Sequence, residues 1–340
     1  MSNKKRIASV VGAALLAVAL AGCSSTAEPT ASPSPSTSIE SIPVDIASLK
    51  GPTTMGLVHL MDVAAAGETA LDYQVTVHGS PDAIVPEIAQ GAVDIALLPS
   101  NLAAVLYNRT AGTDAAIQVL AINTLGVIYV VENGDTVGSM ADLEGRTVYS
   151  AGKGASPEYT LDYLLEQNGL EPGVDVDVEY LSEHSEVAAR LASEPGSLGV
   201  LPQPFVTIVE SQNPDVRTAL DFTEEWAAVS TDSQLVTGVV VVRAAFADEH
   251  PDAVAVFLAD YEESTDFTNE HPDLAAPLIV DAGIVPSAEI AEAAIPACYI
   301  TFIDGADLRT ILSGYLTVLY DADPASVGGS LPGDDFYYGG

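Results

Sequence analysis

The sequence predicts an α/β fold of two lobes, each a mainly parallel sheet flanked by helices, with two strands crossing between the lobes at a hinge. Three observations carry this. Short β-branched or alternating apolar runs take turns with segments of helical periodicity, the pattern of parallel sheets covered by helices. The order of elements then repeats: Lys50 precedes Pro99 by 49 positions, and Lys153 precedes Pro202 by 49, at one common offset of 103. Finally, two apolar runs carrying a central glycine, 121–131 and 235–242, suit strands passing from one lobe to the other.

The first residues stand apart from this fold. Lys4, Lys5 and Arg6 precede an apolar run over 7–21 that ends in Leu20-Ala21-Gly22-Cys23. The run is shorter than the roughly 20 residues a spanning helix needs, and its small-residue ending resembles the bacterial lipobox. Residues 1–22 therefore read as a lipoprotein signal peptide, and Cys23 as the acylated first residue of the mature chain. An uncleaved signal-anchor is the competing reading. Residues 23–42 turn to Ser, Thr and Pro with little to bury, as in a disordered tether that holds a domain near a membrane.

The folded part begins with a strand at 44–49, a loop Lys50-Gly51-Pro52-Thr53-Thr54-Met55-Gly56, and Leu57, Leu60, Met61 and Ala64 at helical spacing. A strand at 73–77, a helix at 81–89 and a buried strand at 93–98 follow, ending in Pro99-Ser100-Asn101. The second unit repeats this grammar: strand 146–150, loop Gly152-Lys153-Gly154-Ala155-Ser156-Pro157, helix to 168, strand 174–180, helix 184–192, and strand 198–201 ending in Pro202-Gln203-Pro204. Helices from 244 onward are expected to pack back on the first lobe. The expected division is 43–124 plus 240–340 for lobe 1 and 125–239 for lobe 2.

Composition narrows the partners. The formal net charge is −37, from 11 Lys and Arg against 48 Asp and Glu, and about −40 once the three leader cations are removed. Such a surface opposes nucleic acid and anionic membranes and favours solubility. Cys23 and Cys298 are the two cysteines; with Cys23 acylated, Cys298 reads as a buried structural thiol. His59, His78, His184, His250 and His271 lack metal-ligand spacing and read as structural or exposed, so no metal and no cofactor are expected.

In parallel α/β sheets, ligands bind outside the carboxyl ends of the strands, where loops enter helices with unpaired N–H groups. Here those loops run over 50–55, 99–101, 152–156 and 202–203. Lys50 and Lys153, the two lysines of the mature chain, both lie in them, which points to an anionic solute bridging the loops. The competing reading pairs each lysine with a surface acid. Tyr107, Tyr159 and Tyr163 read as core or surface side chains ahead of a cleft role.

The Leu20-Ala21-Gly22-Cys23 ending, Leu49-Lys50-Gly51-Pro52-Thr53, Gly91-Ala92-Val93-Asp94-Ile95-Ala96, Pro99-Ser100-Asn101-Leu102-Ala103-Ala104 and the tail from Ser326 to Tyr338 resemble ABC-transporter substrate-binding lipoproteins of the periplasmic-binding-protein type II fold. The likeness is to the nitrate, sulfonate, taurine and thiamine-precursor group, over nearly the whole mature chain. It implies a monomeric clamp, lipid-anchored outside the cytoplasm, that captures a small solute, anionic or heteroaromatic, and delivers it to a membrane permease served by a separate ATPase. It also implies a binding set of Thr53, Thr54, Met55, Ser100, Asn101, Asn123, Gly154, Ala155, Ser156 and Gln203.

Two rival classes remain at this level. A solute-binding sensor that signals to a receptor would share the same lobes. An exported enzyme would need a nucleophile elbow or a metal helix, and neither Gly-x-Ser-x-Gly nor His-Glu-x-x-His occurs.

Overall fold

The computed structural model describes residues 42–339. The expected signal peptide, Cys23 and the expected tether lie outside the described residues, apart from Ile42.

The first sheet grows from β1 (Pro43–Leu49), whose Val44, Ile46, Ala47 and Ser48 are all buried, as expected of a strand covered on both faces. Two short helices, α1 (Pro52–Met55) and α2 (Val58–Ala65), separate it from β2 (Asp72–His78), a parallel edge strand whose exposed Asp72, Gln74 and Thr76 discourage further pairing. Helix α3 (Pro81–Ala89) starts where Ser80 Oγ accepts from the Asp82 N–H at 3.3 Å and Pro81 supplies a preset φ. Strand β3 (Ile95–Pro99) runs parallel on the other side of β1 and leads directly into α4 (Ser100–Thr110).

From there the chain enters β4 (Ile117–Leu125), turns at Gly126 and Val127, and continues as β5 (Ile128–Asn133) in a second sheet. That sheet contains β6 (Thr147–Ser150), β7 (Asp177–Tyr180), β8 (Leu198–Pro202) and β9 (Val216–Asp221), interleaved with α5 (Ser156–Gln167), α6 (His184–Ser193), α7 (Phe205–Gln212) and α8 (Phe222–Val229). After α8 the chain returns to the first sheet as β10 (Val236–Arg243). Then follow α9 (Ala244–Glu249), α10 (Pro251–Glu270), α11 (Pro272–Asp281), α12 (Ala288–Ala294), β11 (Ile300–Ile303) and α13 (Gly305–Ala322).

The two sheets share one plan. Their orders are β2-β1-β3-β10-β4, extended by β11, and β7-β6-β8-β5-β9. In each, the first three strands are parallel and form the duplicated unit, with Ile46 opposite Val75 and Ile95, and Val148 opposite Val178 and Leu198. The fourth strand, β10 or β5, is the one entered after a crossing, and it runs antiparallel to both neighbours. Each sheet is therefore parallel in its three-strand core and mixed as a whole. The run 121–131, expected as one strand, is two strands divided at Gly126 (φ 54°) and Val127 (φ 73°). In the run 235–242 the crossing is complete at Leu235, and β10 lies wholly in the first sheet.

Large aromatic side chains join the halves. Trp226 of α8 is buried with its ring centroid 4.8 Å from that of Tyr163 on α5 and 5.3 Å from that of Tyr315 on α13, and its indole N–H donates to Ser233 Oγ at 2.9 Å. The C-terminal tail lies along the first sheet: Tyr338 N–H donates to the Val119 carbonyl at 3.0 Å, and Asn108 Nδ2 donates to the Val327 and Ser330 carbonyls at 2.8 and 2.7 Å. Cys298 is fully buried with its sulfur 3.7 Å from that of Met55, and burial pushes its thiol pKa up. Among the described residues no helix is long and apolar enough to cross a membrane. Ser41–Gly340 forms a compact unit of its own.

Candidate functional site

Strand ends and helix starts from both sheets converge on a cleft of about 140 Å³. The first sheet contributes Leu49 at the end of β1 and Lys50 just after it, Pro52 and Thr53 at the start of α1, Gly79 before α3 and Pro81 at its start, and Pro99, Thr124, Thr237 and Gly238. The second contributes Gly152, Ala155, Ser156 and Pro157 before and in α5, His184 at the head of α6, Pro202, and Val127 and Ile128 after the turn. Helices α3, α4, α5 and α6, each of eight residues or more, thus begin at its wall. Each brings a helix N-terminus, equivalent to about half a positive charge, to the wall; in α3 the first-turn donors are already taken, the Asp82 N–H by Ser80 Oγ and the Ala83 N–H by the Ser80 carbonyl.

Most of the wall is apolar: Leu49, Pro52, Pro81, Pro99, Val127, Ile128, Pro157 and Pro202. Against it stand the Thr53, Thr124, Ser156 and Thr237 hydroxyls, the exposed Lys50 side chain and the His184 imidazole. Burial pushes His184 down to about 4, so it is neutral at pH 7, and its Nδ1 has no partner among the described residues. Its ring lies 5.5 Å from that of Phe205. Among the described residues no carboxylate lines this cleft, although the chain as a whole is strongly acidic. The arrangement favours an anionic or acceptor-rich group at the helix starts with a compact apolar remainder. An apolar cavity of about 150 Å³ is known to hold benzene, so one small organic solute fits.

The residues read from the sequence as a binding set divide in three. Lys50, Thr53, Ala155 and Ser156 line the cleft. Asn101 and Gly154 stand directly behind it, where Asn101 Nδ2 donates to the Gly154 carbonyl at 3.2 Å and Ser156 Oγ donates to Asn101 Oδ1 at 3.3 Å. The others are engaged elsewhere. Thr54 Oγ1 donates to the Leu49 carbonyl at 2.6 Å, Met55 fills the core beside Cys298, and Ser100 Oγ donates to the Val236 carbonyl at 2.5 Å. Gln203 Oε1 accepts from the Thr207 N–H and Oγ1 at 3.2 and 2.9 Å. The Nζ of Lys153 lies 5.3 Å from the centroid of the Tyr180 ring, outside the cleft. No ion pair to Lys50 or Lys153 forms among the described residues.

Asn123 and Thr124 are neighbours in β4 that the fold treats differently. Successive strand residues face opposite sides, so Thr124 reaches the cleft while Asn123, fully buried, does not line it. Thr124 Oγ1 donates to Asn123 Oδ1 at 3.0 Å, which couples the two. Thr237 and Gly238 lie inside a β-branched run, and His184 is among the histidines whose spacing reads as structural or exposed. The start of a helix in the second unit, matching Pro81 in the first by the offset of 103, is the sequence signal that marks His184. Of the three tyrosines, Tyr107 donates to Asp335 Oδ1 at 2.5 Å, Tyr163 packs on Trp226, and Tyr159 faces a separate cavity beside α13.

Comparisons with known proteins agree with this architecture. Residues 66–289 match the family model described as ABC transporter, phosphonate, periplasmic substrate-binding protein. Among solved structures, an ABC transporter protein from Parabacteroides distasonis superposes with a TM-score of 0.71 at 20% identity, covering 86% of this chain and 98% of that one. The periplasmic aliphatic sulphonate binding protein SsuA from Escherichia coli gives 0.65 at 16% identity, covering 88% and 99%. The periplasmic nitrate-binding protein NrtA from Synechocystis PCC 6803 gives 0.56 at 14% identity, covering 79% and 75%. At these identities the likeness is one of fold. No curated protein matches the chain in sequence.

Proposed function

Because the chain belongs to the phosphonate-type family of periplasmic substrate-binding proteins of ABC transporters, we propose that its cleft captures a small organic oxyanion, of the phosphonate or sulfonate class, for delivery to a membrane permease. The observation that carries this reading is the convergence of four helix N-termini and Lys50 on an apolar cleft free of carboxylates. A tetrahedral oxyanion accepts hydrogen bonds on several sides, which suits donors arriving from both sheets. The apolar wall suits the carbon that distinguishes an organophosphonate from inorganic phosphate. Lobe 1 is assigned to 43–124 plus 240–340 and lobe 2 to 125–239; β10 joins the first sheet from Val236 onward, four residues ahead of the assigned return to lobe 1.

Closure follows from differential binding. A solute touching both lobes stabilises the closed arrangement, and the permease is expected to select that arrangement. Cleavage after Gly22 and acylation of Cys23 would hold the protein at the outer face of the membrane, with 23–42 as tether. The sequence pattern Leu20-Ala21-Gly22-Cys23 supports that part.

A thermal-shift panel on residues 41–340 tests the reading, with methylphosphonate, methanesulfonate, nitrate, phosphate, amino acids and neutral heterocycles as solutes. Methylphosphonate or methanesulfonate is expected to raise the Tm in a concentration-dependent way. Stabilisation confined to neutral or cationic solutes would overturn it.

A further inference from the structure

A second cavity of about 380 Å³ lies beside the first and shares Lys50 with it. Its other walls are α6 and α7 of the second sheet, facing the 283–286 loop between α11 and α12, with Ala189, Phe205, Ile208, Ile284 and Val285 as its apolar surface. The two spaces also meet at adjacent residues, His184 on the cleft and Ser185 on the groove. Among the described residues Lys50 is the sole positively charged side chain lining either.

We infer that this groove is the outer compartment of the binding site and receives the apolar tail of a solute whose anionic head sits in the cleft beside Lys50. The inference rests on the reading given under Proposed function. Continuity through Lys50 identifies the occupant: a head group held at the lysine has its substituent beside the groove mouth. Volume agrees, because the cleft alone lies below the roughly 300–1,000 Å³ of ordinary small-molecule sites, whereas the groove falls within that range. Among the described residues no carboxylate lines the groove, so an organic cation finds no counter-charge from them there. The ligand class is thus a monoalkyl or monoaryl oxyanion longer than a one-carbon compound.

Calorimetric titration of residues 41–340 with n-alkylphosphonates, from methyl to octyl, tests this. A fully buried methylene raises affinity about fourfold, so affinity is expected to climb about twofold to fourfold per carbon until the groove is filled. Ala189→Phe, at an exposed position of α6 outside the cleft, is expected to flatten the series beyond the shortest members while leaving methylphosphonate affinity unchanged. Gln212→Trp, filling from α7, serves as the second variant should the first fail to fold. Methylphosphonate binding with a flat wild-type series would overturn the inference alone and leave the groove to a protein partner. Failure of every member, and of the n-alkanesulfonates of the same lengths, to bind would overturn it together with the reading it rests on.

Discussion

Ser156, at the head of α5 in the second lobe, donates a hydrogen bond of 3.3 Å to Asn101, at the head of α4 in the first. Asn101 returns two bonds of 3.2 Å, to the carbonyls of Gly154 and of Ser326 in the C-terminal tail. One buried amide therefore ties both lobes and the tail just behind the cleft. Asn101→Ala removes all three bonds and is expected to lower stability by about 1–3 kcal/mol, with a larger radius of gyration in X-ray scattering of the unliganded protein. An unchanged scattering profile would separate this tie from lobe closure.

The two lysines, equivalent by the sequence repeat, are expected to behave differently. Lys50 lines both cavities, whereas Lys153 sits over the Tyr180 ring beside Glu158 and Asp162. Lys50→Met is expected to weaken oxyanion binding about tenfold or more, from loss of one charge near the head group, with little change in Tm because the side chain is exposed. Lys153→Met is expected to leave affinity within about twofold, the change being small against a 1.4 kcal/mol decade. Titration of both variants with the same solute measures the difference.

The sequence displayed the duplication clearly because its signals are local. The helix at 81–89 and the strands at 44–49 and 198–201 rest on period, caps and Pro, which act over a few residues. What it could not display were the faces. Thr124 and Asn123 are adjacent and equally polar, and only the placement of α10 and β10 decides which one meets the cleft. Thr54, Ser100 and Gln203 sit in the right loops, but their side chains satisfy nearby backbone or threonine groups, a demand set by tertiary structure. The antiparallel character of β5 and β10 likewise arises from the crossings, which no residue pattern announces.

The first crossing depends on Gly126. Its φ is 54°, and a Cβ there would lie 2.3 Å from Thr223 Oγ1 and 3.3 Å from the Tyr299 ring. Gly126→Ala is expected to cost about 1–3 kcal/mol, read as a lowered midpoint in urea. The neighbouring Val127 also has positive φ, 73°, and lines the cleft, so strain sits where the lobes join. Equal stability of the alanine variant would show that Thr223 and the turn relax together.

Two groups give the stability a pH dependence of opposite sign. His184 titrates near 4 in the folded protein, below its usual value, so the unfolded chain takes up the proton first. Stability is then full above about pH 6.5 and falls as pH drops toward 4. His184→Gln is expected to flatten that part of the profile. Asp162, desolvated in the cavity between α5 and α13 and close to Glu158, Glu166 and Asp323, is pushed up to about 6. It withdraws stability as pH rises from about 4 through 6. Asp162→Asn is expected to gain about 1 kcal/mol at pH 7.5 after solvent screening, and nothing below about pH 4. Urea unfolding at pH 4, 5.5 and 7.5 separates the two contributions.

The central claim, that an organic oxyanion is held between the lobes by helix N-termini and Lys50, is tested most directly by a crystal structure of residues 41–340 grown with methylphosphonate. The account predicts the phosphonate group inside the cleft, its oxygens within hydrogen-bond reach of Lys50 Nζ and of first-turn N–H groups from both lobes. A phosphonate bound outside the cleft, or a cleft that excludes it while closed on a neutral solute, would contradict it.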